Sequence, residues 1–201
     1  MADPRDPRPL IGEPLALDLL NTRWRGAGQQ DLLADLDGYR IWLSSAGLAD
    51  RCPADEASLT AVKAARGALD LLVADPGSAE GAAALNAVLA HGRLRHSLGP
   101  DGPAEAAEAD PPQQLAAWLA ADDYLSLLRR GAHRIKQCAH PACILHFFDT
   151  SQNGRRRWCS MALCGNRSKA ARHYERTAGG RTGAPWDAPG PTAGRDGRAA
   201  R

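Results

Sequence analysis

The sequence predicts a mainly α-helical protein in two parts. An N-terminal helical domain, with room for one small β-hairpin, precedes a compact C-terminal module in which four cysteines clamp a β-hairpin and a helix. Three observations predict this. Apolar residues recur at three- and four-residue steps through several stretches before position 134, the period of an amphipathic helix. The apolar share is 44% with only 5% aromatic residues, so the core is expected to be packed by leucine and alanine. Four of the five cysteines fall in two hexapeptides, CAHPAC and CSMALC, at Cys138, Cys143, Cys159 and Cys164. The expected units are 10–134 for the helical domain, 135–177 for the cysteine module and 178–201 for a disordered tail rich in Gly, Pro and Ala.

Along the chain, residues 1–9 alternate proline with charge and are expected to be loose. LALDLLNT (Leu15–Thr22) is apolar and closes on a polar pair, as a short strand or a helical turn would. From Asp31 the pattern turns helical, with Leu32, Leu33, Leu36, Tyr39 and Leu43 in step and Gly47 as a stop. A second helix is expected over Glu56–Ala74, striped by Leu59, Val62, Leu69, Leu72 and Val73 and ended by Asp75-Pro76-Gly77. A third, about Ala79–His91, carries Leu85, Val88 and Leu89. Gly99-Pro100-Asp101-Gly102-Pro103 is a turn, and Arg93–Leu98 and Ala104–Glu108 supply the arms of the small hairpin. Asp110-Pro111-Pro112 sets an N-cap and a first-turn proline before a long helix to about Arg134. Its stripe is Leu115, Trp118, Leu119, Leu125 and Leu128.

Net charge is only +2, but it is unevenly placed. Met1–Leu128 holds ten Lys/Arg against nineteen Asp/Glu, whereas Arg129–Arg176 holds eleven against Asp149 and Glu175. An acidic body joined to a basic module points to a polyanion partner. The opening MADPRDPRPL has prolines and charges where a signal peptide would be apolar, and no run is long enough to span a membrane. The expected compartment is therefore the cytoplasm, where stable disulfides are uncommon. No P-loop, dinucleotide fingerprint or Gly-x-Ser-x-Gly is present. Asp18, Cys52, His91 and His96 stand isolated, so the expectation is a protein that is not an enzyme, with no catalytic residues.

The cysteines follow Cys138-x4-Cys143, fifteen residues, then Cys159-x4-Cys164. Two close pairs with a short segment between them are how a structural four-thiolate zinc site is built, and a closed tetrahedron leaves no position for an activated water. Spacing also admits two disulfides, a redox pair or an iron–sulfur cluster, and His140 or His146 as a substitute ligand. Between the pairs, Ile144–Thr150 is β-branched and aromatic, Ser151-Gln152-Asn153-Gly154 is a turn, and Arg155–Cys159 is expected to return as the second strand. Arg155, Arg156 and Arg157 would then cluster accessibly beside the turn. GNRSKAARHYERT is expected to form a helix. Its projection sets Lys169, Arg172, His173 and Arg176 on one face, a candidate nucleic-acid contact. Arg167, Ala170, Ala171 and Tyr174 fall on the other, a packing face on which Arg167 would pair with Asp149.

CAHPACILHFFDTSQNGRRRWCSMALCGNRSKAARHYER resembles the CGNR zinc finger, whose naming tetrapeptide stands here as Cys164-Gly165-Asn166-Arg167. The upstream GEPLALDLLNT and the leucine-rich helices resemble the ABATE domain that precedes this finger. Together the resemblances cover about Leu10–Arg176. They imply a bacterial, stress-induced transcriptional regulator, with one zinc ion on Cys138, Cys143, Cys159 and Cys164 and DNA as the partner of the finger. The N-terminal domain would then meet a small molecule or a protein. The competing expectation is a zinc-stabilised module that docks on protein or RNA without sequence-specific DNA binding.

Overall fold

The structure, a computed structural model, describes residues 2–170. In order, the helical part runs α1 (Leu15–Leu20), β1 (Arg23–Arg25), β2 (Gln29–Asp31), α2 (Leu36–Ser45), α3 (Glu56–Ala74), α4 (Ala79–Leu89), β3 (Gly92–Gly99), β4 (Gly102–Ala109) and α5 (Leu115–Gly131). Strands β5 (Ile135–Gln137) and β6 (His146–Phe148) belong to the cysteine module. After them come a π-helical turn (Met161–Gly165) and a helical stretch over 166–170. The expected tail, and the expected contacts Arg172, His173 and Arg176, lie outside the described residues, as do Ala171 and Tyr174. No described helix is long and apolar enough to cross a membrane.

Local chemistry sets the helix bounds. Asp55 caps α3 by accepting from Ser58 N–H, and Ser78 caps α4 through Gly81 N–H. The helix expected from Asp31 is instead broken in two. Asp31 caps a 3₁₀ turn over Leu32–Ala34, and Asp35 then caps α2 through Gly38 N–H. The break requires a glycine, since a Cβ at position 38 would sit 1.6 Å from the Leu32 carbonyl oxygen. At the far end Gly47 adopts φ +69°, Leu48 N–H reaches Leu43 O and Gly47 N–H reaches Ser44 O, which is a Schellman stop. Around α3, the central helix, pack α1, α4 and α5. Leu17, Leu33, Trp42, Val62, Leu69 and Leu127 are fully buried at this center.

The LALDLLNT segment resolves as helix α1. Residues 1–9, expected to be loose, are anchored from Asp3 to Arg8. The Arg8 guanidinium is buried and bonds Asp6 at 2.7 Å and Asp18 at 2.8 Å. Asp18 is thereby assigned: it also accepts from Trp42 Nε1 at 3.1 Å and from Gly12 N–H. A sparse sequence signal hid a further hairpin, β1–β2, with Arg25 opposite Gln29. The hairpin β3–β4 is present at the expected place, largely exposed, with Arg93 and Arg95 on Glu108.

One expected pairing is overturned. Strand β6 does not pair with Arg155–Cys159 but with β5 on its other side, Ile135 opposite Phe148 and Gln137 opposite His146. Cys138 N–H continues this ladder to Leu145 O, so CAHPAC is the tip of the hairpin. The reason lies in Asp149. Its carboxylate takes Arg156 N–H at 2.9 Å and Ser151 N–H at 2.9 Å, which ties the Ser151–Gly154 turn back on itself and removes a ladder donor from the returning segment.

Asp18→Ala would leave the Arg8 guanidinium buried with one partner fewer and Trp42 Nε1 unpaired. Removing one member of a buried ion pair is expected to cost about 3–5 kcal/mol, read as a lower midpoint in urea unfolding followed by tryptophan fluorescence.

Candidate metal centre

The four cysteine sulfurs come from two sites in the fold. Cys138 closes β5 and Cys143 opens the return to β6, with Cys143 N–H bonded to His140 O. Cys159 follows the tied turn, and Cys164 sits in the π-helical turn, whose cap is Ser160 Oγ accepting from Leu163 N–H. Their Sγ atoms all lie within 4.8 Å of one another. Cys143 and Cys159 are 3.9 Å apart, Cys159 and Cys164 3.6 Å. A tetrahedron with metal–sulfur bonds of about 2.3 Å has sulfur–sulfur edges of about 3.8 Å, so the donors fit one tetrahedral ion. A disulfide would need about 2.05 Å, and all five cysteines are free thiols. A multi-iron cluster would spread its cysteines around several metals.

Electrostatics point the same way. Among the crowded thiols Cys143 ionises first, lowered to about 5, chiefly by its hydrogen-bonded contact with Cys159. Burial raises Cys164 to about 11, and Cys159 is pushed up by its bond to Cys143 and by burial. One negative charge thus opposes the next, and a cation is what allows all four to be thiolates. The donor set takes one zinc ion, held as a structural centre with every position filled by sulfur. Neither His140 nor His146 belongs to the cluster.

The seam between the two parts is built from GEPLALDLLNT. Asn21 Nδ2 donates to His146 O at 2.9 Å and Asn21 Oδ1 accepts from His146 N–H at 2.8 Å. Glu13 Oε2 accepts from Phe148 N–H at 3.0 Å, and Glu13 Oε1 accepts from Arg156 at 3.2 Å. These residues stood in the sequence only as polar interruptions of an apolar run. Beside them a half-open cleft of about 240 Å³ separates the helical part from the module, lined by Leu20, Arg23, Asp70, Gln137, Ile144 and His146 among others.

The sequence-nominated cations divide. Arg155, Arg157 and Lys169 are exposed. Arg155 and Arg157 share an open groove of about 510 Å³ with Lys136, Gln137 and Ala139. Arg156 edges that groove, but its guanidinium turns inward. It stacks 4.2 Å from the center of the Phe147 ring and donates to Trp158 O, Cys159 O and Glu13. Arg167 does not pair with Asp149. Asp149 is buried and its carboxylate is held below the usual range by the Lys136 ammonium and Ser151. Arg167 and Ala170 are exposed rather than packed, and Arg167 borders the cysteine cluster.

A helical body docked on a closed four-thiolate hairpin defines a two-module zinc-finger protein. Residues 13–131 match the ABATE family, described as "Putative stress-induced transcription regulator", and the chain belongs to that family. Residues 134–177 match the CGNR zinc finger. No curated protein matches the chain.

Elemental analysis is expected to find one zinc per chain, and Cys159→Ser to lose it together with the fold around the cluster; unchanged metal in that variant would remove Cys159 from the ligand set. His146 supplies a pH dependence. Burial lowers its pKa to about 4, against about 6.5 in the unfolded chain. Between these values only the unfolded chain takes the proton, so this contribution is whole above about pH 6.5 and is lost as pH falls toward 4. From pH 7 to pH 5 the wild type should lose about 2 kcal/mol relative to His146→Gln, measured by urea unfolding of both at each pH.

Proposed function

We propose that this chain is a DNA-binding transcriptional regulator whose finger presents cations to the phosphate backbone. One observation carries the reading. Among the described residues from Ile135 to Ala170 the sole acid is Asp149, and it is buried against Lys136. Arg155, Arg157 and Lys169 therefore face solvent with no carboxylate among the described residues of the module to neutralise them. Their surroundings support a contact with a polyanion: two of them flank an open groove, and the Arg157 guanidinium lies 5.3 Å from the Trp158 ring. Phosphate contacts of this kind position a duplex without reading bases. Of the other nominated residues, Arg156 serves the seam, while Arg172, His173 and Arg176 continue the sequence beyond the described helix. The helical domain supplies the regulatory half, and a small effector in the 240 Å³ cleft would touch both modules. The reading assigns no catalytic activity.

The test is fluorescence anisotropy of the full chain with duplex DNA and with structured RNA over a salt series. Affinity for the duplex should fall steeply as salt rises. Arg155→Ala and Arg157→Ala should each weaken binding several-fold and reduce the slope of log K against log salt by about one. Salt-independent binding, or a preference for the RNA, would sink the proposal.

A further inference from the structure

The two modules meet at the metal centre as well as at the seam. A narrow cleft of about 50 Å³ is lined by Trp24 and Arg25 from the helical part and by Cys143, Cys159, Cys164 and Arg167 from the finger. Trp24 packs against both hydrophobic cores, which fixes the β1–β2 hairpin, and Arg25 with it, over this spot. Arg25 and Arg167 are exposed, and among the described residues neither side chain has a hydrogen bond, an ion pair or a ring contact. On the cluster side Cys143 is half-buried and the other three cysteines are buried.

Charge bookkeeping gives these arginines a role. Four thiolates around one divalent ion leave two negative charges in excess. Three of the four ligand residues are buried, where water offsets that excess less than it would at the surface, so charged groups of the protein carry part of the balance. Two guanidinium groups border the same cleft as three of the ligands, one from each module. We propose that Arg25 and Arg167 are the counter-charges of the zinc–tetrathiolate centre, so that the helical domain completes the metal site and zinc retention depends on the docking of the two modules. They act through the cysteines and are positioning residues, not ligands. The role also separates them from Arg155, Arg157 and Lys169: cations beside an anionic centre are already balanced and have little charge left for phosphate. The inference rests on the zinc site alone and holds whether or not the finger binds DNA.

The experiment is zinc release from the full chain to the chromogenic chelator 4-(2-pyridylazo)resorcinol. Removing an outer partner of a metal site weakens it by about tenfold or more when the partner is buried. For these exposed groups, Arg25→Gln and Arg167→Gln should each speed release about three- to tenfold, the double variant further, and Arg25→Lys should keep most of the wild-type rate. Arg155→Gln should release at the wild-type rate. Added sodium chloride should accelerate release from the wild type and leave the double variant unaffected, because salt screens only charges that are present. Cobalt-substituted Arg25→Gln should retain the visible bands of a tetrahedral tetrathiolate, which separates lost charge from a lost ligand. Release from Arg25→Gln at the wild-type rate, or an equal acceleration in Arg155→Gln, would overturn the proposal; so would wild-type release insensitive to salt.

Discussion

The carboxamide of Asn21 satisfies both the N–H and the C=O of His146, and the placement of the whole finger depends on that pair. Strand β6 has only three residues and one strand neighbour, so its outer edge would otherwise carry unpaired backbone groups. Asn21 and Glu13 act as a substitute strand, taking residues 146 and 148 on the same edge. Edge bonding fixes which way each side chain of β6 turns. Phe148 joins the core of the helical domain, and Phe147, next in the strand and on the opposite face, joins the core of the finger. A single short strand therefore belongs to two cores at once. With it in place, the cysteine cluster comes to lie against Trp24 and Arg25.

Net charge alone would have overstated the binding surface. The finger is strongly basic, yet much of that charge is used internally. Arg134 donates to Asp149 O and Ser151 O, Lys136 to the Asp149 carboxylate and Gly154 O, and Arg156 to two carbonyls and Glu13. Arg130 lies over the Phe148 ring at 4.6 Å. These cations perform the hydrogen bonding that a segment with almost no regular structure cannot supply through its own backbone. Among the described residues of the finger, Arg155, Arg157, Arg167 and Lys169 remain outward. Counting charges in the sequence located the module; only the partner of each guanidinium separates scaffold from surface.

Much of the helical domain was legible because its signals are local and repeated. Apolar steps, capping residues and Gly47 fix α2, α3, α4 and α5 to within a few residues, and the turn at Gly99–Pro103 fixes β3–β4. The four ligands were legible for the same reason, as a spacing. Short strands were not. Arg23–Arg25, Gln29–Asp31 and Ile135–Gln137 have three residues each, too few to show alternation. Missing Ile135–Gln137 gave β6 the wrong partner, and with it an exposed Arg156. The helical projection puts Arg167 on a packing face, with Asp149 as its pair, but the Asp149 carboxylate is taken by Lys136 and by the turn it closes. The break before α2 was equally invisible, since it hangs on one glycine meeting one carbonyl.

The finger's own core explains why such arrangements are needed. Among the described residues that core is Cys138, Leu145, Phe147, Cys159 and Cys164, three of them ligands, with Leu10 and Trp24 of the helical part packed alongside. So little apolar area cannot offset the conformational entropy of ordering the segment. The metal supplies part of the difference, because its binding free energy becomes folding free energy. The seam supplies more, by satisfying backbone groups and adding apolar neighbours from a domain that is already folded. The two contributions are not independent, since the same hairpin that carries Cys138 and Cys143 is the one that Asn21 and Glu13 hold. A disturbance at the seam must therefore reach the cluster, and loss of the ion must loosen the seam. That reciprocity gives the helical domain a physical route to the surface on which a partner would bind.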